Sequence, residues 1–256
     1  MDLGLRGRKA IVTGGSKGIG RAIAQLLVEE GADVAICARG EEAVAVAVEE
    51  LSAGGTNVFG DAVDVTDPEA FPAWIGSAIE RLGGLDTLIL NASVQPSGDD
   101  DATWELTFNS DVMQAVRALR VARPHLAAST MGGSVVALSS ITALQPNVGP
   151  GQMAYGTLKA ALLSLNGKMA GSLASDGIRM NVVTPGCIEF PGGVWEGMRR
   201  AMPDRVEAIA KSAMLGRLGE AREVADTVVF LASPRAGYVT AANLRVDGGI
   251  TKAIDW

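Results

Sequence analysis

Arg8-Lys9-Ala10-Ile11-Val12-Thr13, followed by Gly14-Gly15-Ser16-Lys17-Gly18-Ile19-Gly20, is the stretch that decides the fold. Its first half is a short apolar run with β-branched members, which reads as a buried strand. Beyond the glycines, Ile23, Leu26 and Leu27 recur at helical spacing. A strand, a glycine turn and a helix in that order build a phosphate site. Gly14 suits the tight turn, Gly18 lets backbone approach a pyrophosphate, and Gly20 permits close helix–strand contact. The helix N-terminus adds free N–H groups and a partial positive charge, with Ser16, Lys17 and Ile19 completing the cradle. Gly31 ends the helix and Asp33 to Ala38 supplies a second buried strand, closing one βαβ unit.

The tip of that second strand carries information about the nucleotide. An acidic residue there binds the ribose 2′-OH of NAD, whereas an arginine accommodates the 2′-phosphate of NADP. This strand ends Cys37-Ala38-Arg39, with no acid, and Lys17 is a second cation on the same side. The pair favours NADP(H), with NAD(H) as the alternative.

Strands and helices continue to alternate. Glu41 to Leu51 reads as a helix, Asn57 to Val65 as a strand, Pro68 to Leu82 as a helix and Asp86 to Leu90 as a strand. A long helical region spans Asp101 to Ala128. Gly133 to Leu138 is a continuous apolar run, as expected of a central parallel strand, and it delivers Ser139-Ser140 to a carboxyl end, where open sheets bind ligands. Ile178 to Thr184 and Asn243 to Val246 complete about seven strands, with a helix over Glu223 to Leu231 between them. Residues 187–213 break the rhythm with Pro191-Gly192-Gly193, and a segment of that length reads as a substrate cover. Its Phe190, Trp195, Met198 and Met202 favour an apolar or flat substrate. Residues 1–256 are expected to form a single domain.

Composition removes several classes of function. Apolar residues at 48% exclude disorder, and a formal charge of −7 without a basic block disfavours nucleic acid. The spaced Arg117, Arg120 and Arg123 read as a solvated helix face. Two cysteines, Cys37 and Cys187, and a single His125 fit neither a disulfide framework nor a metal site, and imply a reducing compartment. No apolar run is long enough to span a membrane and no secretory leader is visible, so a cytoplasmic location is expected.

Tyr155 and Lys159 stand four residues apart where an apolar helical pattern begins. On a helix they share one face, and an ammonium beside a phenol favours the phenolate, as acid/base chemistry at neutral pH requires.

Together these motifs resemble the short-chain dehydrogenase/reductase family over essentially the whole chain. The matching elements are Thr13-Gly14-x-x-x-Gly18-x-Gly20, Asp64-Val65, Asn91-Ala92, Ser140, Tyr155-x-x-x-Lys159, Pro185-Gly186 and Val246-Asp247-Gly248-Gly249. Among subgroups the chain is most similar to the 3-oxoacyl-(acyl-carrier-protein) reductase type. The resemblance implies an α/β fold with a single Rossmann-type doubly wound parallel sheet, helices on both faces, and a homotetramer. It implies an NADP(H)-dependent oxidoreductase that interconverts a carbonyl and a secondary alcohol on a small molecule. Tyr155 would exchange the proton at the substrate oxygen. Lys159 would bind the nicotinamide ribose and Ser140 the substrate oxygen. Asp64 and Val65 would hold the adenine, Asn91 and Ala92 the ribose side, and Pro185, Gly186 and Ile188 the nicotinamide.

The chain also departs from the family pattern. Ser93 replaces a glycine after Asn91-Ala92, and Leu158 stands where a serine commonly precedes the lysine. The stretch from Ser140 to Tyr155 is longer than usual. Glu189-Phe190 occupies the neighbourhood of the usual threonine. The asparagine that supports the catalytic lysine falls at Asp111, whose carboxylate would either stabilise Lys159 as a cation or disturb the proton relay, with Asn109 as a substitute. These departures leave open a second function: a cofactor-binding regulatory or scaffold protein with little catalysis.

Overall fold

The computed structural model describes residues 2–252. In chain order the elements are β1 (Lys9–Thr13), α1 (Gly18–Glu29), β2 (Asp33–Ala38), α2 (Glu41–Ser52), β3 (Val58–Ala62), α3 (Ala70–Leu82), β4 (Thr87–Leu90) and α4 (Asp101–Thr107). A π-helical turn (Phe108–Met113) leads into α5 (Gln114–Ala127) and β5 (Ser134–Leu138). A 3-10 turn (Ile141–Leu144) precedes α6 (Met153–Ala174), β6 (Arg179–Pro185), β7 (Ile188–Glu189), α7 (Val194–Ala201) and α8 (Pro203–Ser212). β8 (Gly219–Glu220), α9 (Ala221–Ala232) and β9 (Asn243–Val246) close the described chain.

Seven strands form one parallel sheet in the order β3-β2-β1-β4-β5-β6-β9. The first three strands build outward one way from β1 and the rest the other way, so the order reverses between β1 and β4, the crevice where such sheets bind ligands. Alternating side chains feed two cores, as a strand buried on both faces must. Ile11, Ala35, Leu88 and Val135 pack beneath α3, α5 and α6. Val12, Ile36, Ile89 and Val136 pack beneath α1 and α9. The fold is therefore the doubly wound Rossmann type expected. No helix of the described residues is long and apolar enough to cross a membrane.

Three differences from the sequence reading bear on the site. The helical region from Asp101 to Ala128 is not one helix, because the π turn interrupts it and re-aims Ser110 and Asp111 inward. β3 stops at Ala62, since the Asp64 carboxylate accepts from the backbone N–H and hydroxyl of Thr66 and bends the chain. Residues 187–213 are largely helical and hold a small core of their own. Val206 and Ala210 are buried there with Leu218 from just beyond it, and Trp195, Met198 and Ile209 pack against them.

Candidate functional site

At the phosphate end, Gly14 has φ +69°, a left-handed turn that favours glycine. A Cβ on Gly20 would lie 2.2 Å from the Gly14 carbonyl oxygen, so the helix meets the turn at backbone contact. Asn91 Nδ2 donates to the carbonyls of Thr13 and Gly14, at 3.0 and 3.2 Å. Thr13 Oγ1 accepts from the backbone N–H groups of Asn91 and Ala92 and donates to Gln114 Oε1. Gln114 Nε2 returns to the carbonyls of Ala92 and Ser110. The Asn91 side chain thus clamps the glycine turn. Gln114 was not anticipated, and no sequence motif marks it.

The N-terminus of α1 carries no side-chain cap and no acid in its first turn. Its N–H groups are left for an anion. Lys17 and Arg39 are exposed, and the cations of both lack an ion-pair or hydrogen-bond partner among the described residues. This cradle fits the phosphates of a dinucleotide. Asp64 is exposed and Val65 buried at the end of β3, with one Asp64 carboxylate oxygen already committed to Thr66.

At the other end, β5 and α6 bring the polar groups together. Ser139 is buried and its hydroxyl donates to the Lys159 carbonyl, tying strand to helix. Ser140 caps the 3-10 turn. Its Oγ accepts from the Thr142 hydroxyl at 3.0 Å and from the Thr142 N–H at 3.3 Å. Tyr155 is half-buried, and its Oη accepts from Gln95 Nε2 at 2.9 Å. Each of the two hydroxyls is therefore held by a donor while keeping its own proton uncommitted.

Lys159 is buried beside Tyr155, its Nζ 5.6 Å from the ring centroid. The ammonium donates to the Leu138 carbonyl at 2.9 Å and lies 3.3 Å from Asp111 Oδ1. That contact is an ion pair outside hydrogen-bond geometry, since both buried carboxylate oxygens lack a hydrogen-bond partner. Asn109 is turned away: it accepts from Arg117 and donates to the Glu105 carbonyl. Of the two candidates in this turn, Asp111 meets Lys159 and Asn109 does not.

Pro185, Gly186 and Ile188 lie at the carboxyl end of β6. Gly186 packs against Asp247, where a Cβ would meet backbone at 2.7 Å. The Ile188 side chain is buried against Gly219, leaving its backbone as the part that can face the crevice. The edge of the Phe190 ring rests over Gly18, 2.7 Å from where a Cβ would be. Phe190 thus covers the glycine expected to give backbone access, a contact the sequence did not reveal. The segment that follows is fastened by a two-pronged Arg199–Glu189 pair and by Arg217–Glu223. Trp195 and Met198 are half-buried and pack against its own core, and Met202 is the exposed one of the four apolar residues.

Burial pushes the Cys187 thiol up to about 11 and the Cys37 thiol up to about 12, so neither is a thiolate nucleophile at neutral pH. Ser93 Oγ is buried without a partner near the turn. A cavity of about 410 Å³ lies between residues 209–219 and 245–250, and neither Ser140, Tyr155 nor Lys159 lines it.

A family model described as enoyl-(acyl carrier protein) reductase matches residues 14–251. Isoepoxydon dehydrogenase patN of Penicillium expansum is 36% identical, over 98% of this chain and 97% of its own. The 3-oxoacyl-[acyl-carrier-protein] reductase FabG of Vibrio harveyi is 35% identical, over 97% and 99%. The crystal structure of L-sorbose reductase from Gluconobacter frateurii, complexed with NADPH and L-sorbose, superposes with a TM-score of 0.92 at 32% identity, covering 99% of this chain and 100% of that one. With the glycine turn, the Ser140–Tyr155–Lys159 set and matches over nearly its full length, the chain belongs to the short-chain dehydrogenase/reductase family, whose members are nicotinamide-dependent oxidoreductases.

Proposed function

We propose that this protein is an NADP(H)-dependent oxidoreductase that interconverts a carbonyl and a secondary alcohol on a small molecule, with Tyr155 as general acid and base. The observation that carries the reading is the state of the two hydroxyls. Tyr155 Oη and Ser140 Oγ each accept a hydrogen bond from a neighbour and keep a proton to offer one substrate oxygen. In reduction Tyr155 gives its proton to that oxygen, and in oxidation it takes the proton back. Ser140 holds the oxygen in line, and Lys159 favours the phenolate that remains. Asp111 positions Lys159, which Leu138 anchors from the other side. A bound nicotinamide supplies or accepts the hydride, and that chemistry is its own.

Gly14, Ser16, Gly18, Ile19 and Gly20 would hold the pyrophosphate. Asp64 and Val65 would border the adenine, Asn91, Ala92 and Lys159 the ribose side, and Pro185, Gly186 and Ile188 the nicotinamide. The unpaired Lys17 and Arg39 support a 2′-phosphate and hence NADP(H), in keeping with the NADPH in the sorbose reductase complex. In this reading residues 1–256 act as one domain, residues 187–213 cover the substrate, and the chain assembles as a homotetramer like its family.

The test is turnover of a panel of carbonyls and alcohols with each nicotinamide. Tyr155→Phe should lower kcat by about 10²–10⁴-fold while cofactor binding persists, as loss of a general acid requires. Cofactor binding without turnover in the wild type would instead establish a binding or scaffold protein.

A further inference from the structure

Gln95 stands in the loop between β4 and α4 with φ +44°, a left-handed backbone that glutamine rarely adopts. Strain of this kind costs about 1–3 kcal/mol and persists only where the surroundings enforce it. Here they do. The loop is pinned through Gly98, whose N–H donates to the Gly151 carbonyl at 3.2 Å. Its far end is fixed by Asp100, which caps α4 by accepting from the Thr103 N–H at 2.8 Å. The exposed carboxamide of Gln95 is thereby set 2.9 Å from Tyr155 Oη.

We infer that Gln95 is a specificity-determining residue that selects carbonyls bearing a hydroxyl on the adjacent carbon: α-hydroxy ketones in reduction, vicinal diols in oxidation. The inference rests on the proton-transfer reading of Tyr155. A substrate oxygen bonded to Tyr155 and Ser140 puts its carbon within one bond of that spot. A group in contact with the tyrosine oxygen then lies next to the neighbouring substituent. The Gln95 amide spends one N–H on Tyr155 and keeps a second N–H and its carbonyl oxygen, a donor and an acceptor together. That combination matches a hydroxyl, which both gives and takes a hydrogen bond. It is uncharged, so it offers nothing special to a carboxylate. A site built to hydrogen-bond a hydroxyl discriminates strongly against the analogue that lacks it, since its polar groups are then left unpaired.

The experiment compares matched pairs in which a hydroxyl replaces a methyl: hydroxyacetone against 2-butanone, and 2-hydroxycyclohexanone against 2-methylcyclohexanone. Intrinsic electrophilicity differs within each pair, so the quantity read is the change in the kcat/KM ratio between wild type and variants. Gln95→Leu should lower the hydroxyl-to-methyl ratio by about tenfold or more, the worth of one hydrogen bond of ~1.4 kcal/mol. Gln95→Asn, which enters left-handed backbone more readily, withdraws the amide by one methylene and should lower the ratio as well. Turnover of both ketones with an unchanged ratio in both variants overturns the role of Gln95 and leaves the reductase reading intact. No turnover of any ketone by the wild type overturns the reductase reading, and this inference with it.

Discussion

Replacing Asp111 with alanine removes one half of a buried ion pair and keeps the other. In the native site the Lys159 ammonium is 3% exposed and the Asp111 carboxylate 0%, with 3.3 Å between them. At an effective dielectric constant of about 20, that separation corresponds to roughly 5 kcal/mol of Coulomb attraction. Most of it offsets the cost of dehydrating the two charges. Truncating one partner exposes that cost, because the ammonium stays buried with only the Leu138 carbonyl. The expected loss is about 3–5 kcal/mol. For a chain of this length it lowers Tm by roughly 10 °C, at about 2–4 °C per kcal/mol. Asp111→Asn keeps an acceptor beside the ammonium and should cost about 1–3 kcal/mol. Asn109→Ala, in the same turn but bonded to Arg117 and Glu105, is the control and should stay within about 1 kcal/mol of wild type. Thermal and urea unfolding of the purified variants measure all three. If Asp111→Ala melts within about 2 °C of wild type, the buried pair is not what holds Lys159, and the positioning role given to Asp111 falls.

Arg39→Ala and Lys17→Ala should each weaken NADPH binding by about tenfold or more and leave NADH binding nearly unchanged, as loss of one charge-assisted contact to a 2′-phosphate requires. Equal losses for both nucleotides in a binding titration would count against the NADP(H) assignment. Gly20→Ala forces a Cβ to within 2.2 Å of the Gly14 carbonyl, so calorimetry should show a destabilisation of about 1–3 kcal/mol together with weaker nucleotide binding. Ahead of α9, the Arg217 guanidinium and the Glu220 N–H hold the Glu223 carboxyl down at about 2 against an ordinary 4.5. A depressed folded-state value stabilises above pH 4.5 and is lost as pH falls towards 2. Glu223→Gln should therefore flatten that acid limb of the stability profile. The exposure of the pair keeps the effect below about 1 kcal/mol.

The parts of this fold that depend on periodicity could be read from the chain. Asp33 to Ala38 and Asn243 to Val246 are strands with the bounds expected, because apolar runs between turn residues leave little choice. The glycine turn was legible because each glycine answers a steric demand visible in the spacing. What was not legible depends on contacts between distant residues. Nothing in Phe108–Met113 announces a π turn, yet that turn is what sends Asp111 to Lys159 and leaves Asn109 at Arg117. Asn91 bonds to the Thr13 and Gly14 carbonyls, a pairing of strand ends that no spacing in the chain announces. Trp195 and Met198 carried the same apolar signal whether they faced a substrate or a private core. Gln95 lies in a loop without pattern, and only the folded chain brings it to a tyrosine sixty positions away.

The Thr13 hydroxyl has a consequence for how mutations here will combine. It joins the end of β1 to the first residues after β4, and through Gln114 to the carbonyl of Ser110, the immediate neighbour of Asp111. The glycine turn and the turn that carries Asp111 are thus mounted on the same few buried polar atoms. Residues that share a hydrogen-bonded scaffold do not contribute independently. Damage done to the glycine turn will register at Lys159, and damage to the π turn will register in nucleotide affinity. In this protein binding and catalysis will resist being tuned one at a time.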